Sequence, residues 1–174
     1  MKISIRNAEK EDIEGIMCVE HDSFHSNIAE NADTFLERIE TLPNGFLVME
    51  INEEIAGYIS SELWDYSENI NIEKFKLGHS ITETHKNDGK ELYISSIGVL
   101  EKYRGRGYGN TLFSELVSRI CSKYEISSIV LIVSENWHAA KRIYEKSGFH
   151  EIQIIKCFFD DDEKSDAIVM RKQI

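Results

Sequence analysis

Tyr103-Arg104-Gly105-Arg106-Gly107-Tyr108-Gly109-Asn110 stands between two apolar patterns of different period. Upstream, Leu92 to Leu100 reads as a strand. Downstream, Thr111 to Tyr124 carries Leu112, Phe113, Leu116, Val117, Ile120, Cys121 and Tyr124 on one helical stripe. A glycine-rich turn between a strand and a helix N-terminus gathers backbone N–H groups and the positive end of the helix dipole. That combination suits an anion, most often a phosphate. The glycines let the backbone approach closely and take φ > 0, and Arg104 and Arg106 add positive charge. The stretch is not a Walker A loop, because Asn110 follows Gly109 where Lys and Ser or Thr are needed, and it is not the G-x-G-x-x-G of dinucleotide sites. The plainer alternative is a Gly/Arg surface turn.

Arg104-x-x-Gly107-x-Gly109 resembles the Gln/Arg-x-x-Gly-x-Gly/Ala signature of the GNAT acyltransferase superfamily. Downstream, Asn136, Ala139-Ala140, Tyr144 and Gly148-Phe149 resemble its Asn…Ala…Tyr-x-x-x-Gly-Phe segment. The resemblance implies a mixed α/β (α+β) fold: a mostly antiparallel sheet of about seven strands with a splayed central parallel pair, flanked by about four helices. It implies acetyl-coenzyme A as co-substrate and no metal. The amides of Gly105, Arg106, Gly107, Tyr108, Gly109 and Asn110 would hold the pyrophosphate, with Arg104 and Asn136 beside them. A bulge in the preceding strand would free backbone groups near Ile97, Gly98 and Val99 for the pantetheine arm, and Gly98 is where a bulge costs least. Tyr144 matches the tyrosine that faces the coenzyme sulfur. Within the superfamily the chain is similar to the arylalkylamine and polyamine N-acetyltransferase branch, on Ser60-Ser61-Glu62-Leu63-Trp64-Asp65 and the histidines His79 and His85. That branch carries strand histidines where this chain has Tyr93 and Ser95, so its histidine proton relay does not carry over.

The 174 residues suit one domain, 1–174, with an insertion at about 65–90. The net charge of −11 argues against general nucleic-acid binding. It fits a cationic acceptor such as an amine, and it also serves solubility. No apolar run approaches ~18 residues, and Met1 to Arg6 lacks the h-region of a signal peptide. Cys18, Cys121 and Cys157 have no metal spacing, and the first two fall on apolar helix faces as core thiols. A reduced, cytoplasmic protein is expected. The sequence leaves the assembly open, a homodimer being the commonest.

In chain order, Ile3 to Arg6 reads as a strand, and Asn7 as the N-cap of a helix to about Phe24. Asp33 to Leu42 reads as a second helix. Phe46 to Ile51 and Ile55 to Trp64 form a hairpin, with Gly57 marking a bulge or a close backbone approach. The polar stretch Asp65 to Lys90 reads either as a lid over the acceptor site or as a mobile insertion. Ile129 to Val133 is the continuous run of a buried parallel strand. Trp137 to Ser147 is the next helix, and Glu151 to Phe159 and Asp166 to Lys172 close the sheet.

Acyl transfer to an amine needs a held donor, a neutral amine and a stabilised leaving thiolate. A Tyr has pKa ~10 and a thiol ~8.5, so Tyr144 is expected to donate a hydrogen bond to the sulfur rather than a whole proton. Period two puts Glu91, Tyr93 and Ser95 on one strand face, which makes Glu91 the first choice of base. Glu62, His79 and His85 are alternatives. The reading is acetyl transfer to a primary amine of a small molecule by direct attack of the neutral amine. The alternatives are a protein N-terminal or lysine acetyltransferase and a non-catalytic coenzyme A-binding sensor. An open groove around Asp65 to Lys90 would favour a peptide, and a closed pocket a small amine.

Overall fold

The computed structural model describes residues 1–174 and sets seven strands in one sheet. They are β1 (Ile3–Asn7), β2 (Phe46–Ile51), β3 (Glu54–Trp64), β4 (Glu91–Val99), β5 (Ser128–Ser134), β6 (His150–Ile155) and β7 (Ala167–Gln173), in the order β1-β2-β3-β4-β5-β7-β6. Only β4 and β5 run parallel. The helices are α1 (Ile13–Ser23), α2 (Ala32–Thr41), α3 (Ile81–Thr84), α4 (Tyr108–Lys123) and α5 (His138–Lys146). The expected sheet is borne out. The helices number five rather than about four, because α3 is an extra turn inside the insertion.

The apolar run of β5 follows from cover on both faces. Ile129, Leu131 and Val133 join one core with Leu112, Leu116 and Ile120 of α4. Val130 faces a second core with Trp64, Tyr93 and Val169. Beside it, Ile16, Val19, Phe35 and Ile39 of α1 and α2 pack on Phe46, Val48 and Tyr58. Neighbouring parallel strands need a long crossover, and α4 supplies it between β4 and β5.

Asn7 does not cap a helix: it is the last residue of β1 and pairs with Leu47. Arg6 captures Asp12 at 2.7 Å and Glu50 at 2.6 Å, so the chain turns through Lys10–Asp12 before α1 begins. Asp12 also accepts from the backbone N–H of Glu9 at 2.8 Å. The second helix starts at Asn31, whose side chain accepts from Thr34 N–H at 2.9 Å. Gly57 marks both things expected of it. Ala56 is the extra residue where the β2–β3 register shifts, and a Cβ on Gly57 would lie 3.0 Å from the carbonyl oxygen of Gly98.

The insertion is packed onto the sheet. Ile70, Phe75 and Ile81 are buried, and Phe75 meets the rings of Trp64 and Tyr93 edge-on, at 5.2 and 5.4 Å. Glu62 anchors it from β3, accepting from Thr84 Oγ1 at 2.7 Å while lying 2.9 Å from His79 Nε2. Cys18 and Cys121 differ from expectation, being exposed and not core thiols; Cys157 is exposed as well, and all three are free. The two helical ones sit just off the buried stripes, where Ile16, Val19 and Ile120 fill the space.

Candidate active site

The site forms where β4 leaves β5. The strands pair only from Glu91↔Ser128 to Tyr93↔Val130, so the β5-facing backbone of Ile94 to Val99 has no strand partner. The cause is a bulge at Ser95: Ser96 pairs with Ser60 and Ile94 with Ser61, which leaves Ser95 over. The bulge is therefore not at Gly98. That glycine pairs regularly with Tyr58, and its missing Cβ makes room for α1, since a Cβ there would lie 2.9 Å from Ser23 Oγ and 3.1 Å from Val19. The extra residue also shifts the phase of the strand. Leu92 and Ile94 face the α4 core, and Ile97 and Val99 follow on that side. Ser96 and Gly98 turn toward α1 instead.

The turn after β4 is built from two left-handed glycines, Gly105 at φ +72° and Gly107 at φ +81°. Gly107 precedes the first residue of α4 and carries no side-chain cap. No amide from Gly105 to Asn110 donates to an acceptor in the chain; the first bond is from Thr111 N–H to the Gly107 carbonyl, at 3.0 Å. At Gly109, neither the backbone angle nor any protein atom within 4 Å demands glycine. Free amides around a spot that a side chain would fill make a cradle for an anion such as a pyrophosphate.

The cradle opens into a cleft of about 1170 Å³. Ile97, Gly98, Val99, Arg104, Gly105, Gly107, Tyr108, Gly109, Asn110, Asn136 and Tyr144 all line it, so most of the expected contact set is brought together; Arg106 is not among the lining residues. Arg104 is less a free cation than a clamp. Its guanidinium donates to the Val99 carbonyl at 2.8 Å and the Asp22 carbonyl at 2.9 Å, tying the end of β4 to the end of α1. The Val99 carbonyl is thereby occupied. Lys102 is paired with Glu54 at 2.7 Å. Positive charge inside the cleft comes instead from Arg142 on α5, beside His138, neither of which the motif picks out. Asn136 donates to Glu163 at 2.8 Å, linking the start of α5 to the acidic β6–β7 connection.

Tyr144 sits on α5 against Phe113 and Phe149, at ring distances of 6.1 and 5.6 Å. It lines both this cleft and a smaller cavity behind it. Burial pushes its pKa up to about 12, so the phenol is neutral and able to donate at any ordinary pH.

The smaller cavity, about 190 Å³, has mostly apolar walls: Phe24 and Ile28 after α1, Leu77 of the insertion, Trp137, and Phe159 of the β6–β7 connection. Its two carboxylates are Glu20 and Glu30, and Ser95 and Ser96 lie at the splay of β4. Glu30 is tied up by Arg38, at 2.7 and 2.9 Å, and by Gly78 N–H at 2.7 Å. Leu77 also walls a second, separate groove of about 500 Å³, set between Ile72, Glu73 and Lys76 of the insertion and Lys156 to Phe158.

The structure does not bring Glu91 to this site. Both its oxygens are held by Arg171, at 2.7 and 2.9 Å, and it also accepts from Ser128 Oγ at 2.7 Å, fully buried. It lies six residues from Ile97 along β4, about 20 Å of strand. The bulge between them defeats the period-two argument that had put it on the catalytic face. The alternatives are engaged as well. Glu62 is enclosed by Trp64, His79 and Thr84. His85 accepts from Leu63 N–H through Nδ1 at 3.0 Å. Among the residues that line the cavity, Glu20 and Ser96 were missed. A signal existed: the apolar spacing Leu92-x-Ile94-x-x-Ile97-x-Val99 jumps from two to three where the bulge falls.

The split parallel pair, the uncapped glycine turn and the tyrosine across the cleft define an acyltransferase, and the comparisons agree. The chain matches the model of the acetyltransferase (GNAT) family over residues 11–149, and it belongs to that family. It is 27% identical over 168 residues to an N-alpha-acetyltransferase of Sulfurisphaera tokodaii, covering 95% of this chain and 90% of that one. In structure it is similar to the loading GNATL domain of CurA from Lyngbya majuscula, with a TM-score of 0.84 at 13% identity, covering 99% and 98% of the two chains. It is also similar to Arabidopsis thaliana Naa50 in complex with the bisubstrate analogue CoA-Ac-MVNAL, with a TM-score of 0.75 at 21% identity and full cover of both. The protein is an acetyl-coenzyme A-dependent N-acetyltransferase. No helix is long and apolar enough to cross a membrane.

Proposed function

We propose that the acceptor is the N-terminal α-amino group of a polypeptide, in place of the small-molecule amine that the sequence suggested. The groove that shares Leu77 with the cavity and is lined by Ile72, Glu73 and Lys76 carries this reading. A cavity of about 190 Å³ holds one side chain or a small amine, and the groove on the other side of Leu77 offers a surface for the residues that would follow a peptide's first. The relatedness to N-alpha-acetyltransferases over nearly the whole chain supports it. So does the chemistry of the amine. With a pKa of about 7.7–8.0, roughly a third of an α-amine is neutral at pH 7.5, against about 0.1% of a lysine at pKa ~10.4.

Acetyl-coenzyme A supplies the acyl group as an activated thioester. The amides of Gly105 to Asn110 hold its pyrophosphate, with Arg142 and Asn136 beside them. The unpaired backbone of Ile97, on the edge that β5 leaves, aligns the pantetheine arm, and Tyr144 donates its hydroxyl proton in a hydrogen bond to the sulfur as negative charge develops there.

Thiol release from acetyl-coenzyme A tests the acceptor. The panel is short peptides with free N-termini, the same peptides N-terminally blocked but carrying lysine, and arylalkylamines and polyamines. Turnover confined to free N-termini is the expected result. A higher kcat/KM on a small amine or on the blocked lysine peptides would replace this reading.

A further inference from the structure

One hydrogen-bonded chain in the cavity wall has no place in the scheme above. Ser96 Oγ, at the splay of β4, lies 2.6 Å from the hydroxyl of Tyr58 on β3. That hydroxyl donates in turn to Oε2 of Glu20 on α1. Tyr58 and Glu20 are buried, at 0% and 1% exposure. The other oxygen of Glu20 accepts from Glu30 N–H at 2.9 Å. Since Tyr58 spends its proton on Glu20, its oxygen accepts from Ser96. Ser96 Oγ is then free to accept a further hydrogen bond, and Ser96 lines the cavity that an ammonium would enter.

We propose that Glu20, reached through Tyr58 and Ser96, receives the proton that the acceptor amine gives up on acetylation. The transfer balances. The amine N–H proton passes to Ser96 Oγ, the Ser96 proton to the Tyr58 oxygen, and the Tyr58 proton to Glu20 Oε2. The amine becomes neutral, Glu20 becomes a carboxylic acid, and both hydroxyls are restored. Ser96 is the group that touches substrate; Tyr58 and Glu20 act through it. The surroundings suit the role. Burial raises the pKa of Glu20, and the nearby charge of Glu30 raises it further. The hydrogen bonds from Tyr58 and Glu30 N–H and the charge of Arg38 on α2 oppose this without cancelling it. A carboxylate with raised proton affinity accepts a proton more readily than a solvent-exposed one. Tyr58 stays un-ionised, since its burial and the charges of Glu20 and Glu30 all hold its pKa high. The inference rests on amine acetylation alone and holds for whichever amine the panel selects.

The test is the pH profile of kcat/KM for wild type, Tyr58→Phe, Ser96→Ala and Glu20→Gln on the best acceptor of that panel. Tyr58→Phe keeps the ring that packs on Phe35 and Phe46, so it guards against a variant that merely unfolds. With the relay intact, activity rises through the pKa of Glu20 and holds across neutral pH. In each variant the rise moves up to the pKa of the amine itself. For an α-amine the expected loss is about 15- to 30-fold at pH 6.5, the shortage of neutral amine there, recovering to within about 3-fold at pH 9.5. A structural role alone predicts a loss that is the same at every pH. A uniform loss in Tyr58→Phe, or an unmoved acid limb, would overturn the proposal. A second readout is independent of turnover: the carboxyl carbon resonance that Glu20→Gln removes must titrate above the ordinary glutamate range in wild type and shift its midpoint in Tyr58→Phe. An ordinary midpoint, unchanged by that substitution, also overturns it.

Discussion

Arg171 on β7 closes both N–H arms of its guanidinium on Glu91 of β4, across the intervening strand β5. Both side chains are buried, at 3% and 0% exposure. The pair is a tie between strands, and its cost falls on stability if one partner is removed. Glu91→Gln is expected to leave kcat within about twofold of wild type while destabilising the fold by about 3–5 kcal/mol, because a buried guanidinium loses its counter-charge. Urea unfolding beside steady-state kinetics measures both. A large fall in kcat at unchanged stability would restore Glu91 to the chemistry.

Tyr144→Phe removes one hydroxyl from the cleft and leaves the ring packing on Phe113 and Phe149. The expected loss is about 10²-fold in kcat with little change in the Kd for acetyl-coenzyme A. Burial holds the pKa near about 12, so the loss stays constant between pH 6 and pH 9. A loss that varies with pH in that window would mean that Tyr144 ionises as it works.

Gly109 and Gly107 separate ligand sterics from backbone strain. A side chain at Gly109 meets no protein atom within 4 Å, so Gly109→Val is expected to weaken acetyl-coenzyme A binding at least 10-fold while leaving the melting temperature unchanged. Gly107 has φ +81°, so Gly107→Ala is expected to cost about 1 kcal/mol of stability as well as affinity. Calorimetric titration and thermal melts distinguish the two.

His79 is buried beside Glu62. Burial opposes its protonation, but the hydrogen bond and charge of Glu62 more than offset this and raise its pKa above 6.5. A histidine with a raised folded pKa stabilises fully below its unfolded pKa, and the contribution is lost as pH rises through the folded value. The gap in melting temperature between wild type and His79→Gln should therefore be wider at pH 6 than at pH 9. A gap that grows with pH would show that the imidazole is neutral in the folded protein.

Much of this was legible in short-range patterns. Gly105, Gly107 and Gly109 announced the turn, and the run Ile129 to Val133 announced a strand covered on both faces, because local sterics and burial decide such features. Glu91 shows where that reasoning stops. Its partner Arg171 is eighty residues away, and the bulge at Ser95 inverts the strand's faces with a residue that carries no turn signal. The N-terminal helix begins later than its apolar spacing suggests for a similar reason: Arg6, Asp12 and Glu50 meet only once β1 has paired with β2. Arg104 looked like a phosphate ligand by charge, yet its guanidinium is committed to carbonyls that only folding brings near. The relay through Glu20 and Tyr58 spans 38 residues and leaves no trace in spacing.

The pairing of β4 with β5 over only Glu91, Leu92 and Tyr93 makes the sheet an open book with a short spine. The leaves are β1 to β4 and β5 to β7, and beyond Tyr93 nothing of the backbone bridges them. A ligand seated there with its own amide groups becomes a load-carrying rung. Ligand at 100 times its Kd adds about 2.7 kcal/mol to a marginal fold. Bound acetyl-coenzyme A is therefore expected to slow unfolding by heat and cleavage by proteases, as a strut laid across the gap would.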